Sequence, residues 1–336
     1  MKMWVFAAWA TLAGSAALAK APSPPTPLFA SDAPIRVTLQ GPMSSLASNR
    51  SETPRPATMT VDGVAYPITL APRGIFRKAT CDFPPLRVEL AKPAPPGSLF
   101  EHQHRLKLTA FCKRSEGFQQ KVLLEYAAYR LYNLMTPLSF RARLATVDYL
   151  DESGRTYISR AGFFVEDVDD VARRNGLTVA KMGSLVPLQQ IDPVSAARTA
   201  LFEDMISNYD WSMRAAPRGE NCCHNARLLT DNAPGSLLTV VPYDFDFSGL
   251  VDAPYADPPE GIPVATVRQR TYRGYCAHMS QATTIAAQLS PRRAEFTGLF
   301  AKIPGLDPRE QAKAAGFVNA FFDDLASGRV LSKCIN

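Results

Sequence analysis

The chain has 336 residues, a formal charge of +6, 46% apolar and 20% charged residues, and six cysteines. That much apolar content can bury a sizeable core, which excludes disorder of the whole chain. The mild positive balance suits an anionic ligand or an envelope surface, and the absence of basic runs interleaved with aromatics, or of zinc-finger spacing, argues against nucleic acid as a partner.

The first segment has a basic start at Lys2, an uncharged stretch from Met3 to Ala19, and Ala17-Leu18-Ala19 as a small-residue cleavage site. This reads as a secretory signal peptide over residues 1–19, shorter than the roughly 20 apolar residues that span a bilayer. Cleavage leaves 336 − 19 = 317 residues and removes Lys2, for a charge of +5. No other segment reads as a membrane span, so the expected location is secreted or periplasmic. Residues 20–34 contain five prolines and are expected to form an extended, poorly ordered tether.

Strands are expected at Ile35 to Leu39 and across Ala57 to Ile68, the latter folded back at Asp62-Gly63. Leu86 to Leu90 and Arg105 to Phe111 alternate polar and apolar residues, the strand period. Gln119 to Met135 changes to helical spacing through Val122, Leu123, Tyr126, Tyr129, Leu131 and Leu134. Arg143 to Leu150 and Tyr157 to Val165 return to strand around an Asp151 to Gly154 turn. Beyond Asp167 the pattern is mainly helical, at Asp169 to Arg174, Asp192 to Ser207 and Pro308 to Leu325. Asp192-Pro193 caps the second of these, and Ala226 to Leu229 and Leu237 to Tyr243 are the only strands expected there.

Six cysteines in an exported chain suggest three disulfides. The expected pairing is Cys81 with Cys112, which flank strands, with Cys222, Cys223, Cys276 and Cys334 pairing among themselves. A zinc site at Cys222, Cys223 and His224 is the rival, although adjacent ligands close a tetrahedron with difficulty.

Residues 201–250 carry the chemistry. Asn208-Tyr209-Asp210-Trp211, His224-Asn225, and Val241-Pro242-Tyr243-Asp244-Phe245-Asp246 follow a helical run in that order. Phosphoryl transfer needs an acid to orient the attacking hydroxyl, and an amide with a second acid to hold a divalent ion on the phosphates. Asp210, Asn225 and Asp244 can fill those roles. Hard carboxylate oxygens suit Mg²⁺ or Mn²⁺, and Asp246, two residues on, can bind a second ion. A glycosidase reading of the paired acids fails, because acids on one strand do not flank a sugar from opposite faces.

From about Arg73 to Leu250 the chain resembles the spore-coat protein H (CotH) kinase-like family. The likeness lies in Arg73-Gly74 with Arg77, the helix around Glu125, Gly162 to Asp169, and Pro242-Tyr243-Asp244-Phe245-Asp246. It implies an α+β, two-lobed, protein-kinase-like fold, with a sheet-rich N-lobe carrying one helix (residues 35–166) and a mainly helical C-lobe (167–336). It also implies that Lys107 binds the α- and β-phosphates of ATP and is held by Glu125, with Arg87 as the substitute for Lys107. Arg73, Gly74 and Arg77 would approach phosphate, and Glu166 to Val168 would be the hinge that meets the nucleobase. Each residue has a plainer reading: Lys107 as a solvated strand residue, Arg73 in a basic surface turn, Glu166 in an acidic linker, and Asp210 in a helix-ending turn.

Two departures stand out. There is no full glycine-rich loop, and Asn225 lies 15 positions after Asp210, against about 5 in the protein-kinase catalytic loop. Arg268, Arg270 and Arg273, after a Pro-rich segment, either receive an acidic or phosphorylated acceptor or form surface ion pairs worth little. The expected function is an exported kinase transferring the γ-phosphoryl group of ATP to a hydroxyl of a protein or envelope molecule. Because ATP is scarce outside the cytoplasm, a catalytically silent module that binds a ligand or partner in the envelope is the alternative.

Overall fold

The computed structural model describes residues 22–217 and 219–336; the expected signal peptide lies outside the described residues. Seven strands of the first half form one closed barrel. They are β1 (Ile35–Gln40), β2 (Arg55–Val61), β3 (Val64–Pro72), β4 (Leu86–Leu90), β5 (Arg105–Thr109), β6 (Ala142–Leu150) and β7 (Thr156–Val165), in the order β1-β2-β3-β4-β5-β7-β6. Neighbours are antiparallel except at the seam, where β1 lies parallel to β6 with Ile35 opposite Ala145 and Gln40 opposite Leu150. The β2–β3 hairpin turns on Asp62 and Gly63, both at positive φ (50° and 78°), the left-handed pair that a two-residue hairpin demands.

Alternation on each strand puts one set of side chains inside the barrel. Leu86, Val88 and Leu90 of β4 are buried, as are Val37 and Leu39 of β1. They join Leu106, Leu108, Val147, Tyr149 and Phe164 in one apolar cluster. Gly162 permits the close approach of β7 to the β5 end: a Cβ there would lie 2.7 Å from the Thr109 carbonyl oxygen. The stretch expected as a loose tether is packed at Thr26, Leu28 and Phe29, while Ala30 to Pro34 are exposed. Pro27–Phe29 makes a short 3-10 turn whose Leu28 and Phe29 are buried in the barrel cluster, because two large apolar side chains gain more by burial than a tether would allow.

The expected two-lobed kinase-like fold is therefore corrected. Closure by β1 against β6 makes a barrel in place of an open sheet, and three helices accompany it: α1 (Met43–Ser48), α2 (Phe76–Thr80) and α3 (Glu116–Met135). The second half adds α4 (Val168–Arg174), β8 (Thr178–Val179), α5 (Pro193–Ile206), β9 (Ala226–Thr230), β10 (Thr239–Pro242), α6 (Met279–Leu289), α7 (Arg293–Thr297) and α8 (Pro308–Ala326). Its three strands form a separate sheet in the order β10-β9-β8. The long helix α3 is buried on nearly every side from Val122 to Tyr132 because it lies between the barrel and this second half. Tyr126 and Tyr129 meet Phe163 of β7, and Tyr132 meets Phe202 of α5 at a centroid distance of 4.7 Å. The two cores consequently do not separate at residue 166, since α3, Phe163 and Val165 belong to the second cluster.

Three disulfides join Cys81 to Cys112, Cys222 to Cys223 and Cys276 to Cys334. The first matches the expected pair, and the other four pair among themselves. Among the described residues, no helix is long and apolar enough to cross a membrane.

Helix α5 begins at Asp192, whose carboxylate accepts from the Ser195 N–H at 2.7 Å, and ends with Glu203 and Asp204 inside the core. Burial raises Asp204 from 3.8 to about 7, against the attraction of Arg270. The unfolded chain releases this proton near pH 3.8 while the folded chain retains it to about pH 7, so stability should fall across that interval as pH rises. The slope from one such proton is at most ~1.4 kcal/mol per pH unit. Denaturant midpoints of wild type and Asp204→Asn, compared between about pH 4.5 and 6.5, should show a steeper fall in wild type. Equal slopes would place the Asp204 proton elsewhere.

Candidate functional site

The site is built at the mouth of the β9–β10 hairpin. Ala226 faces Pro242 in the ladder, and the Tyr243 N–H donates to the Asn225 carbonyl at 2.9 Å. Asp244 follows directly, near enough to His224 to add to the upward pKa shift that the Asp210 hydrogen bond gives the imidazole. Asn225 and Asp244 both take positive φ (50° and 67°), a conformation that Asn and Asp tolerate better than bulkier residues. The Asp244 N–H donates to the Tyr129 hydroxyl of α3 at 3.0 Å. Phe245 is buried against Tyr129 and Phe202, which fixes the acids on either side of it.

Asp210 arrives from the other direction. Helix α5 stops at Ser207 in the left-handed region, and the Asn208 carboxamide oxygen accepts from the Asp210 N–H at 3.2 Å. The Asp210 carboxylate is then gripped twice. Oδ1 lies 2.7 Å from His224 Nε2, and Oδ2 accepts from Asn225 Nδ2 at 2.9 Å, the same amide reaching the Asp210 carbonyl at 2.6 Å. The hydrogen bond from Asp210 holds His224 above its usual imidazole range.

Beside this pair, Arg77 of α2 is a buried hub. Its Nη1 and Nη2 meet Glu125 Oε2 and Oε1 at 2.7 and 3.1 Å, Nη2 lies 3.3 Å from Asp244 Oδ1, and Nε lies 3.2 Å from Asp246 Oδ2. Tyr255 donates its hydroxyl to Asp246 Oδ2 at 2.9 Å. Burial raises Glu125 and Asp246 above the ordinary carboxylate range, opposed in both by the Arg77 charge. For Arg77 burial acts downward, but Asp246 and Glu125 outweigh it and keep the guanidinium charged. The disulfide Cys81–Cys112 ties the C-terminal end of α2 to the chain beyond β5 and so anchors the segment that presents Arg77.

A cavity of about 730 Å³ opens over these residues. Arg73, Gly74, Arg77, Asp210, Asn225, Asp244 and Asp246, all expected from the sequence, line it. Lys107 and Glu125 do not meet: Lys107 Nζ lies 3.8 Å from Asp167 Oδ2, and Glu125 is held by Arg77. The reason is register. Lys107 stands opposite Arg87 on β4 and Val165 on β7, whereas α2 delivers its arginine straight onto α3. Glu166 and Val168 are not among the residues lining the cavity. The Glu166 N–H donates to the Arg141 carbonyl at 2.9 Å, and its carboxylate is bound by Arg174 at 2.9 and 3.1 Å, so this segment is a buried structural link. Val168 opens α4 behind the Asp167 cap.

The zinc reading of Cys222, Cys223 and His224 is also corrected, since the two sulfurs are bonded to each other and offer no thiolate. Of the three late arginines, Arg270 and Arg273 are tied to backbone carbonyls, and Arg268 forms an exposed ion pair. Arg270 donates to the Asp204, Met205 and Phe317 carbonyls, Arg273 donates to the Tyr209 carbonyl at 3.2 Å, and Arg268 lies 3.3 Å from Asp252.

Sequence reasoning gave His224 a role only as a zinc ligand, not as the partner of Asp210, and missed Tyr129, Lys181, Arg227 and Tyr255 as members of the site. The adjacency of His224 to Asn225 was a usable signal for the first; the others depend on contacts distant in sequence. The acids Glu125, Asp244 and Asp246 can bring three carboxylate oxygens within 4.8 Å of one another, but Arg77 already supplies a cation there. Neither a protein-family model nor a curated protein matches the chain.

Proposed function

We propose that the cavity carries out divalent-metal-dependent phosphoryl transfer from ATP to a hydroxyl of a protein or envelope acceptor. The observation that carries this reading is the convergence of Asp210, Asn225 and Asp244 on one cavity, with the Asn225 amide bonded to Asp210. The resemblance of the segment order to the CotH kinase-like family points the same way; the barrel architecture does not enter into it.

The donor set fits a hard divalent ion at Asp244 and Asn225. Asp244 is 36% exposed at its side chain, and Asn225 spends its amide N–H on Asp210, which leaves its carboxamide oxygen as a donor of electron pairs. Asp246 fits less well as a metal ligand, because its Oδ2 is already shared by Arg77 and Tyr255. A bound Mg²⁺ or Mn²⁺ supplies positive charge to phosphate oxygens. Asp210, fixed by His224 and Asn225, orients the attacking hydroxyl and accepts its hydrogen bond. Arg77 keeps the Asp244 carboxylate in place from behind.

The alternative, a silent binding module, is favoured by one observation: Arg77 is consumed by three carboxylates and Lys107 is directed to Asp167, so neither is free for phosphate. The test is turnover of ATP by the oxidised protein with Mg²⁺ or Mn²⁺, followed as inorganic phosphate release and as phosphate added to the chain by intact mass. Asp210→Asn should lower the rate by about 10²- to 10⁴-fold. No turnover in folded wild type with either ion would favour the silent module, and full turnover in Asp210→Asn would remove Asp210 from its role.

A further inference from the structure

We propose that Arg73, Lys181 and Arg227 form an anion grip for a linear di- or triphosphate, taking the part that Lys107 and Arg77 do not play. The proposal rests on the phosphoryl-transfer reading of the cavity and assigns the residues that hold the donor.

The three cations come from three anchored segments. Arg73 follows β3, and its N–H donates to the Pro85 carbonyl at 2.9 Å. Lys181 follows Ala180, whose N–H donates to the Leu228 carbonyl of β9 at 2.9 Å. Arg227 lies on β9, with Nη1 3.0 Å from the Ala226 carbonyl and its guanidinium 4.5 Å from the centre of the Tyr243 ring. All three line the cavity.

Among the described residues, no carboxylate lies within 4.0 Å of the charged nitrogens of Arg73, Lys181 or Arg227, while every acid around Arg77 is engaged. Burial lowers Lys107, Asp167 opposes this, and Arg73 and Arg227 lower it further, so two of the three cations lie near a fourth positive group. Like charges held together in a partly buried place cost stability, and a polyanion relieves that cost. Two guanidiniums and an ammonium match phosphate oxygens, the former with two-pronged geometry. Gly74, at φ 81° with nothing within 4 Å of a built Cβ, leaves the wall beside Arg73 open. The cavity volume lies within the roughly 300–1,000 Å³ typical of small-molecule sites.

A nucleoside triphosphate and free inorganic polyphosphate share this chemistry, and the experiment separates them. Binding of tripolyphosphate and of ATP to the oxidised chain is measured by calorimetry in EDTA, and again with Mg²⁺. Tripolyphosphate should bind without metal, more weakly as salt is added, and at least about tenfold more weakly in Lys181→Gln and Arg227→Gln. Lys181 is exposed, so its variant keeps the fold, and Lys92→Gln, a change at another exposed lysine, serves as the neutral control. ATP binding tighter than tripolyphosphate identifies a nucleotide donor; equal binding identifies the phosphate chain alone. Absence of metal-free binding, or binding unchanged in both variants, overturns the grip. The failures are distinguishable: if the grip binds and no Mg²⁺-dependent gain or turnover follows, the transfer reading falls and the grip stands.

Discussion

Arg77→Met should lower the stability of the protein by about 3–5 kcal/mol, the usual cost of leaving a buried charge without its partner. Glu125 and Asp246 are 2% and 5% exposed, and Arg77 is the only cation within salt-bridge distance of either among the described residues. Without it, Glu125 must stay protonated or remain charged in a low-dielectric site. The variant should therefore lose more stability at pH 8 than at pH 6, because the unfolded chain ionises Glu125 freely at both and the folded variant resists it. Arg77→Lys should restore only part of the loss, since an ammonium cannot reproduce the two-pronged contact with Glu125. Urea unfolding of the three proteins at both pH values measures this. A loss below about 1 kcal/mol in Arg77→Met would mean that the acids are already neutral and that the hub is ordinary packing.

A comparable loss, about 3–5 kcal/mol, is expected of Arg174→Met. Arg174 clamps both oxygens of Glu166, which is 0% exposed, and also donates to the Pro137 and Ser139 carbonyls. Its removal strands a buried carboxylate and two carbonyls at once. Glu166→Gln should be milder, because a neutral amide can still accept from the Arg141 N–H that Glu166 Oε2 now binds at 2.9 Å. The pair also separates structure from ligand binding. Neither residue lines the cavity, so Glu166→Gln should leave ligand affinity unchanged. A selective loss of nucleotide binding in that variant, with stability intact, would restore the segment as a hinge.

The local elements were legible because their signals are local. Alternation over Leu86–Leu90, the Asp62-Gly63 turn and the Asp192-Pro193 cap each specify their element within a few residues. The barrel was not legible, since its seam pairs Ile35 with Ala145, and no window along the chain contains both. The short helices α2 and α7 carry too few residues for a helical period; α6 was missed although its buried Ala282, Ile285, Ala286 and Leu289 fall at helical spacing. At the site, residue type identified Asp210, Asn225 and Asp244; hairpin register brings Asn225 and Asp244 together, and the turn that ends α5 delivers Asp210 to Asn225. The partnership of Lys107 with Glu125 failed for a complementary reason. It was inferred from the order of a strand and a helix, but the cation that reaches Glu125 comes from α2, a five-residue helix anchored by Cys81–Cys112.

The central claim is that Asp244 and Asn225 hold a divalent ion for a phosphate-bearing ligand. The most direct measurement is thermal unfolding of the oxidised protein with ATP, with and without Mn²⁺, alongside Asp244→Ala. Ligand at about a hundred times its dissociation constant should add about 2.7 kcal/mol, a rise of a few degrees for a chain of this size. A rise that requires Mn²⁺ and disappears in Asp244→Ala is the predicted result. No Mn²⁺-dependent rise in folded wild type, or the same rise in Asp244→Ala, would contradict the account.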